Sequence, residues 1–187
     1  KGGSKEGKTA ENTDIFIELA EAGLAASIST SMPEISSIGQ SVTLNCYATA
    51  TATLTLKLNG SVVKTANGTE MTYAHKLDKQ GNYNFELTAT NGTETKTATA
   101  FTCVPTAPIK ANRPTGIVNG IYYDKNDQTK VTLCTFAGSK TEPAKHVFVV
   151  GDFNDWTISN DYQLKQANDS AYFWIELSGL TPQKEYA

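Results

Sequence analysis

Asn-Gly pairs set between runs of alternating apolar and polar residues constrain this chain more than any other feature. Asn-Gly favours the positive backbone angles of a two-residue hairpin turn, and strict alternation has the period of a half-buried strand. Val42, Leu44, Cys46 and Ala48 fall on one side of the run 41–48. Leu54, Leu56 and Leu58 form the next inward row, and Asn59-Gly60 then turns the chain into Ser61-Val62-Val63-Lys64. Asn67-Gly68 and Asn91-Gly92 repeat the turn signal. Tyr83, Phe85, Leu87 and Ala89 alternate before the last of them, and 94–104 closes the sheet. The expectation is an all-β chain whose residues 27–105 form one immunoglobulin-like sandwich.

Composition narrows the function. The 187 residues carry 39% hydrophobic and 19% charged side chains, with a net charge of -3. No basic stripe is present to neutralise phosphates, so nucleic acid is not an expected partner. No apolar run is long enough to span a bilayer, and no signal peptide is visible. Cysteines stand at 46, 103 and 134 without a C-x-x-C, and the two histidines, His75 and His146, are far apart. A zinc site and a disulfide framework are therefore not expected, and neither is a cofactor. A bond between Cys46 and Cys103 stays open, although Phe85 stands on the strand where a partner would be usual. Residues 1–13 read as a loop and 14–19 as a short strand. Residues 1–26 are thus the tail of a preceding domain or an edge strand of the next. The chain reads as a piece of a longer protein.

Pro105, Pro108 and Pro114 mark a stiff linker, and residues 106–187 read as a second sandwich. The runs 116–123 and 130–136 supply its first strands. His146-Val147-Phe148-Val149-Val150 then enters a tight polar turn, Gly151-Asp152-Phe153-Asn154-Asp155-Trp156. Tyr172 to Leu177 is the next long strand, with Phe173, Ile175 and Leu177 on one face and Tyr172 and Trp174 on the other.

No nucleophile elbow, phosphate loop, metal motif or apolar carboxylate pair stands out, so no catalytic residue is assigned. Asp152 and Asp155 lie close together, but in a polar turn they read as turn-bonding groups. Asn59, Asn67, Asn91 and Asn168 each open a glycosylation sequon. Three of these coincide with turn signals, and the turn reading is preferred.

Two resemblances follow from these residues. Asp78 to Phe85 resembles the D-x-x-G-x-Y-x-C corner of immunoglobulin-like domains, in which the tyrosine bonds back across the corner. Phe85 replaces the cysteine, which brings the first sandwich closer to the spacer domains of bacterial surface proteins. The order apolar strand, G-x-F-N-x-W, aromatic strand, Leu177-Ser178-Gly179-Leu180, then Tyr186 resembles the early-set sandwich of the α-amylase superfamily. It is similar to family 48 carbohydrate-binding modules and to the glycogen-binding domain of AMP-activated kinase. Arg113 to Gly116 and Gly120 to Tyr123 are similar to the opening strand of such domains, and residues 3–9 followed by 14–17 weakly resemble the tail of family 26 starch-binding sandwiches.

The resemblance implies a non-catalytic region of an extracellular or surface-tethered bacterial enzyme acting on starch, glycogen or maltooligosaccharides, with a catalytic barrel following it. It implies sugar contacts by Trp156 and Asn154, by Tyr172 and Trp174 on an aromatic platform, and by Lys184. Two alternatives stay open. Trp156 packs the turn and Trp174 a neighbouring domain, or the chain is a surface spacer or adhesion module with no sugar chemistry.

Overall fold

The computed structural model describes residues 23–168 and 170–187. The short strand expected at 14–19 lies outside them. The fold is an all-β sandwich type built from two curled sheets. The first contains β1 (Ala26–Ser29), β2 (Ser41–Leu58), β3 (Ser61–Lys76), β4 (Gly81–Thr90) and β5 (Thr95–Val104), ordered β1-β2-β4-β5 with β3 on the other edge of β2. The second contains β6 (Lys110–Ala111), β7 (Gly120–Tyr123), β8 (Val131–Phe136), β9 (Lys165–Ala167) and β10 (Tyr172–Leu177), ordered β6-β9-β10-β8-β7. Its pairings are antiparallel except β6 with β9.

The first sheet departs from expectation in one respect. The inward rows 42–48 and 54–58 belong to a single strand, β2, of 18 residues. Ala and Thr alternate through 48–53 without a breaker, so the strand continues. A register shift between Tyr47 and Ala52 marks an irregularity there. The N-terminal half of β2 pairs with β1 and its C-terminal half with β4, so the sheet folds over on itself. Asn67-Gly68 is accordingly no hairpin turn. It lies inside β3 opposite Thr53 and Ala52, beside the shift. Asn59-Gly60 does turn the chain, with φ of 48° and 82°, both positive as that hairpin type requires. At the third Asn-Gly, Asn91 Oδ1 accepts the backbone N–H of Thr93 and Glu94 and holds the loop to β5.

Leu44, Leu54, Leu56, Leu87 and Phe85 are buried in the centre of this sheet. Each contributes roughly 1.5–3 kcal/mol by leaving water. The expected corner is present. Tyr83 Oη accepts the Lys79 N–H at 2.9 Å and donates to the Lys79 carbonyl at 3.0 Å.

Phe173, Ile175 and Leu177 are buried on the inner face of β10 and pack with Leu164, Val147, Val149, Phe153 and Tyr162. The segment 146–150, expected as a strand, is joined by the single bridge Phe148–Gln163. Its neighbouring bonds are Val149 N–H to Tyr162 O and Leu164 N–H to Val147 O. Its short partner segment ends in the turn at 160–162, which stops a ladder from growing. From the run 116–123, β7 takes Gly120–Tyr123.

The three cysteines are free and buried. Cys46 is in the core of the first sheet. Cys103 pairs with Asn82, whereas the buried Tyr83 pairs with Thr102. The period of two therefore puts Cys103 on the outer face, away from Cys46.

Candidate functional site

The turn after Val150 is assembled from its own polar groups. Gly151 is extended rather than left-handed, and its role is close approach. A Cβ there would lie 2.5 Å from the Ala187 carbonyl oxygen and 2.7 Å from Phe153 Cε1. Asp152–Asn154 forms one 3-10 turn. Asn154 Oδ1 accepts the Gly151 N–H at 2.9 Å, and its Nδ2 donates to the carbonyls of Val149 and Thr157, each at 3.2 Å. Both ends of that amide are engaged in holding the loop. Phe153 turns inward against Tyr162, with centroids 5.6 Å apart.

Trp156 is treated differently. The residue is 57% exposed, and the indole N–H donates to Asp152 Oδ1 at 3.0 Å. Asp152 Oδ2 accepts the Ala187 N–H at 3.1 Å. These two donors, the backbone one foremost, hold the Asp152 carboxyl below its ordinary range. Asp155 and Trp156 both have positive φ, 51° and 54°. A bulky residue in that region is strained.

The ring lies at the junction of the two sheets. Asn82 Nδ2 donates to the Ile158 carbonyl at 3.0 Å. Asn160 accepts the Thr106 N–H at 3.0 Å and donates to the Val104 carbonyl at 3.2 Å. Gln163 Nε2 donates to the Thr106 carbonyl at 3.0 Å and to His146 Nδ1 at 3.3 Å. Between these clamps and solvent runs a groove of about 450 Å³. Trp156, Thr157 and Ile158 form one wall, and Glu34 with the β4–β5 surface forms the other.

The remaining expected contacts lie elsewhere. Tyr172 and Trp174 do share the outer face of β10, but cations of the chain itself cover them. The Arg113 guanidinium sits 4.2 Å from the Tyr172 centroid, and Lys165 Nζ 4.6 Å from that of Trp174. Cys134, paired with Trp174 across the ladder, is buried; burial pushes its thiol up against the opposing pull of Arg113. Lys184 Nζ lies 4.7 Å from the Tyr186 centroid, in a second groove of about 470 Å³ that also holds Asp152, Tyr162 and Glu176. Tyr186 lies in coil, where its hydroxyl accepts the Thr181 N–H at 2.8 Å. The five residues thus occupy three places. Trp156 and Asn154 share a turn, Tyr172 and Trp174 a face, and Lys184 stands apart.

The wall opposite Trp156 was not read from the sequence. Asn84, Glu86, Thr99 and Phe101 project outward by the same alternation that buries Tyr83, Phe85 and Leu87. That alternation marks them as outward. No local signal shows that they meet the distant loop that carries Trp156.

Among the described residues no group of three His, Cys, Asp or Glu is arranged to hold a metal, and no helix is long and apolar enough to cross a membrane. No known family model matches the chain, and no curated protein is found to be similar to it.

Proposed function

We propose that the chain is a non-catalytic accessory region for α-glucans, holding starch-like chains at Trp156 and positioning a glycoside hydrolase barrel of the α-amylase family outside the cell. The observation that carries this reading is the exposed indole of Trp156, fixed through its N–H by Asp152 and kept in a strained backbone conformation at the mouth of a groove. An aromatic face stacks on the apolar face of a glucose ring, and amides, hydroxyls and carboxylates bond its hydroxyls. The G-x-F-N-x-W turn supports the same reading through its resemblance to glucan-binding modules. The test is retention on an amylopectin affinity gel. The chain is expected to be retarded and to release no reducing sugar, and Trp156→Ala is expected to run unretarded while still folded. A parent chain that passes the gel unretarded sinks the reading.

A second reading, a surface spacer without sugar chemistry, is favoured by the clamped junction. Asn82, Asn160 and Gln163 fix the linker and hold the two sheets in one relation. An unretarded parent with a cooperative single melt would favour it.

A further inference from the structure

We infer that the glucan site is composite and that the first sheet supplies half of it. This rests on the α-glucan reading of Trp156 and adds the partner wall. Two rungs of the β4–β5 ladder, Asn84–Phe101 and Glu86–Thr99, put four side chains on the outer face. That face, with Glu34, lines the groove across from Trp156.

Phe101 is half-buried and gives this wall an apolar floor, while Asn84, Glu86 and Thr99 are exposed. The pairing is an aromatic platform on one side and amide, hydroxyl and carboxylate groups on the other. None of the lining residues is basic; of the two carboxylates, Glu86 is paired with Lys57 Nζ at 3.1 Å, so the net negative charge of the lining comes from Glu34. Phosphates, nucleic acid and acidic polysaccharides are disfavoured by that charge. A neutral polyol fits it, because its hydroxyls donate to carboxylates and amides while its apolar face meets the rings. The volume is in the range of small-ligand clefts. The junction bonds from Asn82 and Asn160 hold the walls apart at a set distance, so the cleft is preformed and little ordering cost falls on binding. In this arrangement the immunoglobulin-like sheet is part of the site.

The test uses the 187-residue chain and maltoheptaose, with affinity by calorimetry and melting followed in parallel. Asn84→Ala and Thr99→Ala are each expected to weaken binding roughly three- to tenfold, the size of one lost hydrogen bond. Thr99→Arg, which fills the groove from an exposed position, is expected to abolish it. Thr97→Ala, on the same strand face but outside the groove, is expected to bind as the parent does. Melting is expected to hold in all four, since the positions are exposed. If Trp156→Ala loses binding while Asn84→Ala, Thr99→Ala and Thr99→Arg bind like the parent, the composite site is wrong and the α-glucan reading stands. A parent that binds no maltoheptaose overturns both, and binding of an apolar peptide instead of the glucan does the same.

Discussion

Substitution of Trp156 by alanine and by glycine separates an exposed, strained platform from a packed turn residue. A tryptophan presents roughly 250 Å². With 57% of Trp156 exposed, less than half of its surface is covered. Removing it therefore uncovers at most ~100 Å², an upper bound of about 2.5 kcal/mol at ~25 cal/mol per Å². A fully buried tryptophan would cost ~3–5 kcal/mol. The backbone works in the opposite direction. Residue 156 sits at φ 54°, where every L side chain is strained by about 1–2 kcal/mol and glycine is not. Alanine inherits the strain; glycine releases it. The expected losses are about 1.5–2.5 kcal/mol for Trp156→Ala and about 0.5–1.5 kcal/mol for Trp156→Gly. Glycine should thus be the better of the two, the reverse of its usual rank in a strand. Urea unfolding followed by far-ultraviolet circular dichroism measures both without relying on indole emission. A loss above ~3 kcal/mol for alanine would return the ring to the packed class. A glycine variant less stable than the alanine one would refute the left-handed backbone at 156.

Three further outcomes are expected. Titration of thiols after unfolding without reductant should find three free groups, because Cys46 and Cys103 face opposite sides of the first sheet; a single free thiol would contradict that register. In the native chain the same thiols should react slowly, since burial raises all three. Tyr83→Phe should cost about 1–3 kcal/mol in urea unfolding, as the corner's hydroxyl both accepts from and donates to Lys79 in a buried setting; a loss under a few tenths would show the corner to be dispensable. His146 is held below its ordinary value by burial first and by Lys145 second, and in its neutral form it accepts a bond from Gln163. Its folded pKa is below the unfolded one, so the unfolded chain takes up the proton first as pH falls. Its contribution is therefore complete above about pH 6.5 and lost as pH falls through the folded value. The urea midpoint should drop as pH falls below about 6.5 in the parent and drop less in His146→Gln; parallel profiles would remove His146 from the junction's energetics.

Much of the first sheet was legible because its cues are local. Alternation located β4 and its buried face, the D-x-x-G-x-Y corner located its bond, and Asn59-Gly60 located a turn with two positive φ angles. The misreadings have a common physical source. Asn67-Gly68 carries the same local preference as Asn59-Gly60, yet pairing with β2 on both sides of it keeps the chain in the strand, and Gly68 takes a positive φ of 145° there without turning it. The apolar run 146–150 has strand composition, but its partner segment is too short to pair with more than a bridge. At the site, Asn154 and Trp156 were marked by the turn motif. What decided their roles was which groups the fold delivered to them: carbonyls to the Asn154 amide, a carboxylate to the indole.

The register of β4 links these two levels. Asn59, inside the hairpin turn, behaves toward β4 like a further strand residue. Its N–H donates to the Asn84 carbonyl at 2.9 Å, its Oδ1 accepts the Asn84 N–H at 2.9 Å, and its Nδ2 donates to the Asn82 carbonyl at 2.9 Å. The tyrosine corner fixes the same strand at Tyr83. Both devices grip residues 82–84, where a slip by one would exchange the two faces of β4. Such a slip would send Phe85 and Leu87 toward Trp156 and bury Asn84 and Glu86 without partners, at a cost of several kcal/mol. Turn chemistry that stabilises the first sheet therefore also determines which side chains line the groove. Asn82, outward by that parity, clamps the second sheet through Ile158, and the next outward residues, Asn84 and Glu86, line the groove opposite Trp156. One alternation thus yields a core, a clamp and one wall of the groove, and the side chains of that wall, Asn84 and Glu86 among them, are those the core had no room for.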